Sequence, residues 1–256
     1  MALVSIRTAA IAAAVLPVVG SAVYLLQLHS RISRETTRSR GRYRSSSSCP
    51  EPPRALPAHV SSDTEGVVLH YERVVSHPIP AASLVRSWAP STTTSTQPSA
   101  LLQSYLSATH LAFSRTPQAC ALWCFIKNAD ARRTFTNGYI VNLPFAVGDR
   151  VNGAYSVVYV GAGPESNSER VELVLDPPPG YNGPTPKGLI ISEVHRVDEE
   201  SEGLAGDHVI FINETWMWRK PDERPVLLEG GLPGWIHALT SGWLILNGLK
   251  SVQSDA

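Results

Sequence analysis

Cysteine is scarce in this chain: three in 256 residues, at Cys49, Cys120 and Cys124. Three thiols do not make the disulfide framework of a small secreted domain, so reduced thiols on the cytosolic side are expected. Charge is thin as well, at 17% of residues, with 22 Lys+Arg against 22 Asp+Glu. A neutral chain has no global field to draw in a polyanion, which disfavours duplex binding and leaves nucleic acid out of the expected partners. The common catalytic signatures are missing too. There is no Gly-rich phosphate loop, no His/Cys/Asp cluster at metal spacing and no Gly-x-Ser-x-Gly elbow. Gly148-Asp149-Arg150 and Gly161-Ala162-Gly163 read as turn material. Redox, phosphoryl and acyl-enzyme chemistry lose weight, and neither a cofactor nor a metal is expected.

The even balance of charge hides an asymmetry. Thr8 to Leu28 runs 21 residues without a charge, which matches the roughly 20 needed to cross a hydrocarbon core. Arg31, Arg34, Arg38, Arg40, Arg42 and Arg44 follow it, and Arg7 alone precedes it. Positive-inside logic then makes residues 1–29 a single-pass anchor, in the endoplasmic reticulum, with the rest in the cytosol. There the sequon Asn213-Glu214-Thr215 goes unglycosylated. Two other readings stay open: a signal peptide cleaved near Gly20-Ser21-Ala22, or a mitochondrial presequence, since no acidic residue precedes Glu35. Residues 30–65, rich in Arg, Ser and Pro, have no apolar periodicity and read as a solvated basic linker. The folded domain is expected over 66–256.

That domain is organised around Asp207 to Lys220, the longest alternating stretch. His208, Ile210, Ile212, Glu214, Trp216 and Trp218 fall on one face; Val209, Phe211, Asn213, Thr215, Met217 and Arg219 fall on the other. Apolar residues on both faces predict a central strand. Before it come a strand over Val67–Val75 and a short helix near Ala81–Trp88. Ser99 then caps a helix carrying Leu102, Tyr105, Leu106, Leu111 and Phe113 to the core. Thr116-Pro117 opens another, running to about Lys127, in which Cys120 and Cys124 read as buried structural thiols. Strands are predicted at Tyr139–Leu143, Ala154–Val160, Val171–Leu175 and Leu189–His195, with a further short one at Val226–Leu228. Leu232–Val252 is a long helix, apolar almost all round and therefore heavily buried.

The expected class is α+β. The order of elements, and above all the Gly188–Trp218 hairpin preceding the Leu232–Val252 helix, resembles the START and polyketide-cyclase superfamily over about residues 66–252. That resemblance implies a helix-grip fold, in which a curved antiparallel sheet wraps a C-terminal helix and encloses a cavity for an apolar small molecule. The function it implies is a cofactor-free cyclase, isomerase or dehydratase. Such an enzyme could include Diels–Alder-type cycloaddition and would act on a polyketide- or terpenoid-like intermediate of secondary metabolism received from membrane-bound enzymes. A lipid- or sterol-binding protein, or a membrane-anchored assembly factor, are the alternatives.

Glu214 and His237 are the candidate acid–base groups. A carboxyl between Ile212 and Trp216 has a raised pKa if it lines an apolar cavity. On the solvent face, or paired with Arg196 or Arg219, it has no such role. A register slip of one residue would point Asn213 inward instead. His237 lies on the last helix beside Trp235 and can face a ligand or be a satisfied core histidine. His195 and His208 read as exposed hairpin ends. Trp216, Trp218, Trp235 and Trp243 either fill core or wall a flat ligand.

Overall fold

The computed structural model describes residues 2–43, 51–62, 66–88, 96–165, 167–183, 185–197 and 206–254, with side chains from Val19 onward. Helix α1 spans Ala2–Glu35 and runs directly into strand β1, Thr36–Tyr43. A one-turn helix α2 (Ala58–Ser61) precedes β2 (Val68–Ser76) and the two-residue β3 (Ile79–Pro80). Four helices follow: α3 (Ala100–Phe113), α4 (Pro117–Phe125), α5 (Ala129–Arg133) and α6 (Asn137–Val141). Then come β4 (Arg150–Val151), β5 (Tyr155–Ala162), β6 (Ser168–Leu175), β7 (Lys187–Val197) and β8 (His208–Arg219), and finally α7 (Gly231–Val252).

All strand pairings are antiparallel, in the order β1-β2-β8-β7-β6-β5-β4, with β3 on the end of β8. The Asp207–Lys220 stretch thus supplies a central strand, held between β2 and β7. Its two faces serve two cores. Val209 and Phe211 point inward with Val74, Val157, Val171, Leu173 and Val194, against Leu102, Tyr105 and Leu106 of α3 and Ile245, Leu246 and Leu249 of α7. Each of those aliphatic side chains contributes roughly 1.5–3 kcal/mol on burial, so the sheet and the two helices form one cooperative layer pair. Trp216 and Trp218 point outward with Leu69, Tyr71, Leu189 and Ile191, beneath Leu56 and Val60. This is an α+β fold, a curved antiparallel sheet with a long C-terminal helix, compatible with a helix-grip fold.

Several expectations need correction. The stretch 30–65 is not only a solvated linker. Its Thr36–Tyr43 segment pairs residue for residue with Tyr43↔Leu69 to Thr36↔Ser76 on β2. Leu56 and Val60 roof the outer face, and the backbone N–H groups of Arg54 and Ala55 donate to Glu172 at 2.9 and 2.7 Å. Backbone pairing needs no apolar periodicity, which is why an Arg/Ser-rich sequence could supply an edge strand. Tyr139–Leu143 is helical over Asn137–Val141 and not a strand. Gln103 Nε2 and Ser107 Oγ of α3 donate to the Leu143 and Ile140 carbonyls, satisfying them without a sheet neighbour. Val226–Leu228 forms no strand but leads into a 3-10 turn at Leu227–Glu229, pinned by Arg219 Nη2 on Glu229 at 2.9 Å. The short helix near Ala81 shrinks to a 3-10 turn over Ala81–Ser83. Cys120 and Cys124 are exposed.

No helix is long and apolar enough to cross a membrane among the described residues. The expected span Thr8–Leu28 lies within α1, but the side chains of residues 8–18 fall outside that description. Cys49 and Arg44 lie outside the described residues altogether.

Candidate functional site

Helix α3 begins where Ser99 Oγ accepts the Leu102 N–H at 3.3 Å. From there one stripe faces the sheet: Leu102, Tyr105, Leu106, Thr109, His110 and Phe113 are all buried. The last polar pair on that stripe reaches a cavity of about 80 Å³ between α3, α7 and the inner face of the sheet. Thr109, His110 and Phe113 line it from α3, and Gln118 from α4. Tyr155, Leu173, Ile190, Ser192, Asn213 and Thr215 line it from the sheet, and His237, Thr240, Ser241 and Leu244 from α7. Most of these carry a hydroxyl, amide or imidazole. Their polar groups are set into a lining surface that is mostly apolar.

His110 is its most defined group. Its Nδ1 lies 2.7 Å from Asn152 Oδ1, Asn152 Nδ2 donates to Ser114 Oγ at 2.7 Å, and Ser114 Oγ donates to the His110 carbonyl at 3.0 Å. With the Ser114 proton committed, the Asn152 amide has one orientation. Its oxygen faces the imidazole, so Nδ1 carries the hydrogen and Nε2 holds the lone pair. Burial drives the His110 pKa down to about 4, against the opposing pull of Asn152, so the ring is neutral at physiological pH.

Two residues around this imidazole are strained. Phe145 (φ 55°) and Asn152 (φ 47°) are the non-glycine residues with positive φ among the described residues. The Phe145 ring centroid stands 5.6 Å from that of His110. A positive φ on a bulky aromatic costs on the order of 1–3 kcal/mol, and such strain concentrates at functional sites. Both strained residues here touch the same histidine.

Asn213 does point inward. Its Oδ1 accepts from Tyr105 OH at 3.2 Å and from Ser192 Oγ at 3.0 Å, which leaves the Nδ2 donor for another partner. His237 Nδ1 is 2.8 Å from Glu72 Oε1, and Ser241 Oγ is 3.5 Å from the same nitrogen. Glu72 is also held by Arg38 from β1, whose Nε donates at 3.0 Å. Burial alone would raise the Glu72 carboxyl, but His237 and Arg38 together outweigh it and keep it below the usual carboxylate range.

The chain has no match among protein-family models, curated proteins or solved structures.

The remaining sequence candidates lie elsewhere. Glu214 sits on the outer face, opposite the cavity, and its register partner on β2 is Arg73. Trp216 Nε1 donates to it at 2.9 Å and Tyr71 OH at 3.4 Å, with Arg73 Nε at 3.5 Å. Burial raises its pKa, as expected of an apolar site, against Trp216 and Arg73. The partner is therefore Arg73, and neither Arg196 nor Arg219. Trp216 and Trp218 belong to the outer core. Trp235 packs beside His29 of α1, with centroids 6.2 Å apart, and Trp243 is half-buried against the inner core without lining the cavity. Among the expected site residues only Asn213 and His237 meet at the cavity.

Sequence reasoning passed over His110, Asn152, Ser192 and Thr215. The signal for His110 was available: it lies eight residues after Leu102, on the same helical stripe as Tyr105, Leu106 and Phe113. Among the described residues no group of three or more His, Cys, Asp or Glu is placed to hold a metal ion.

Proposed function

We propose that this protein is a cofactor-independent isomerase or cyclase of the START and polyketide-cyclase kind, acting on the carbonyl end of an apolar natural-product intermediate. One observation carries the reading: a buried, neutral imidazole, fixed in one tautomer by Asn152 and Ser114, stands in the wall of a cavity that also holds the Asn213 amide and the Thr215 hydroxyl. His110 Nε2 takes a proton from the carbon next to the substrate carbonyl. Asn213 Nδ2, held in place by Ser192 and Tyr105 on its oxygen, and the Thr215 hydroxyl stabilise the oxygen as it becomes negative. Return of the proton at a different carbon completes an isomerisation. Attack of the carbanion on a second carbonyl of the same molecule closes a ring, and the imidazolium then protonates the new alkoxide. A base whose pKa is near 4 takes the proton only as the oxyanion forms beside it, so the ion pair is made and discharged within one turnover.

Size refines the substrate. Pockets that enclose a drug-sized ligand measure about 300–1,000 Å³, whereas this cavity measures about 80 Å³. It takes the reacting end, and the rest of the molecule lies along the mouth past Phe113 and Gln118. A sterol or lipid carrier, which must enclose its whole cargo, is less well served. The uncharged Thr8–Leu28 run and its Arg flank support a membrane-held chain working beside membrane-bound enzymes on the cytosolic face.

Metabolite profiling after gene deletion tests this directly. An unrearranged precursor should accumulate, the wild-type gene should clear it, and His110→Gln should not. Full rescue by His110→Gln would remove the imidazole from the chemistry.

A further inference from the structure

Helix α4 is built against the rule for a surface helix. Its nine residues, PQACALWCF, hold one polar side chain, Gln118, yet Ala119 is the one that is buried. Trp123 and Phe125 are 42% and 44% exposed, and Cys120 and Cys124 are exposed beside them. An apolar helix with an open face this large needs a partner.

Charge says which one. Arg115 precedes the helix, and Lys127, Arg132 and Arg133 follow it, against Asp130 as the acidic residue of α5. The Arg132 guanidinium lies 4.2 Å from the Trp123 ring centroid, and its Nε donates to the Ile126 carbonyl at 2.6 Å. An indole and a phenyl ring among cations, with no carboxylate on the helix itself, match the boundary between anionic headgroups and acyl chains. We propose that α4 lies on an anionic membrane surface, with Trp123 and Phe125 inserted and Lys127 and Arg133 on the headgroups. Gln118 gives this contact a purpose, because it lies on α4 and also lines the His110 cavity. The mouth then opens at the bilayer, and an apolar substrate reaches it without crossing water. That last step rests on the cavity reading above; the membrane contact does not.

The test uses the full chain reconstituted in phosphatidylcholine vesicles, with or without phosphatidylserine. An environment-sensitive fluorophore is placed on Cys120, with Cys49→Ser and Cys124→Ser, and in a second protein on Cys124, with Cys49→Ser and Cys120→Ser. Spin-labelled lipid should quench both labels and aqueous iodide should not. Adding phosphatidylserine to about a third of the lipid should strengthen quenching roughly threefold, as expected when several cations meet an anionic surface. Lys127→Glu with Arg133→Glu should cancel that gain. Labels quenched by iodide but not by lipid would overturn the proposal. Labels reached by neither would also overturn it and would assign the face to a second copy of the chain. Neither readout depends on turnover, so failure here is separable from failure of the proposed reaction.

Discussion

At the scale of single residues, one register decides what each side chain of β8 can do. Alternation told that Glu214 and Asn213 would face opposite ways, but not which way was in, because both faces of the strand are apolar. Asn213 faces the cavity and Glu214 does not. His110 sets the acid limb of activity. Its folded pKa is lowered from 6.5 to about 4, so a pH profile of kcat/KM should stay flat down to about pH 5 and fall below 4. Asn152→Ala, which frees the tautomer, should lower kcat with little change in KM; an unchanged kcat would argue against the positioning role. On the outer face, burial and the neighbouring Glu214 raise the Glu193 pKa to about 7, against Arg170 and Arg73. The folded state then binds a proton that the unfolded chain releases near 4.5, so this contribution is complete below 4.5 and is lost as pH rises through 7. Glu193→Gln should therefore match wild type at pH 4 and exceed it at pH 8 by up to about 3 kcal/mol. Denaturant unfolding at the two pH values reads the difference, and equal stabilities at pH 8 would refute the shift.

Elements were legible where packing and period agree. The apolar circumference of α7 and the capped start of α3 both follow from helical spacing, and the two helices pack together on the sheet. The Tyr139–Val141 run misled because three β-formers in a row suit a strand, while donors from α3 hold their carbonyls in a helical turn. Where α3 and α7 cross, Gly248 matters. A Cβ there would stand 2.4 Å from Cε2 of Tyr105, and Tyr105 is 0% exposed and tied to Asn213. Gly248→Ala gains about 1 kcal/mol of helix propensity but overpacks a crossing that cannot yield, at about 1–3 kcal/mol. The clash wins. Thermal unfolding should show a lower Tm, and a raised Tm would mean that Tyr105 moves freely.

For the molecule as a whole, composition misplaced where the folded unit starts. Pro, Ser and Arg between 30 and 65 suggest a tether, which predicts that a fragment beginning at Ser61 keeps the whole domain. The structure ties that tether to both layers. Removing it strips β1 from the edge of β2 and takes Arg38 from Glu72. It also uncovers Trp216 and Trp218 by deleting Leu56 and Val60, worth roughly 1.5–3 kcal/mol each. Glu172, itself 0% exposed, loses both of its backbone donors and keeps Arg170 at 2.9 Å, and a hydrogen bond to a charged group is worth about 1.5–3 kcal/mol. Together these reach about 5 kcal/mol or more, a large share of the 5–15 kcal/mol that holds a typical domain together. At about 2–4 °C per kcal/mol for a chain of this size, a fragment from Ser61 should melt at least about 10 °C below one from Ser30, with red-shifted tryptophan emission as the outer core opens. If the two fragments melt together, the edge strand and the Leu56–Val60 roof are ornaments on a sheet that closes without them.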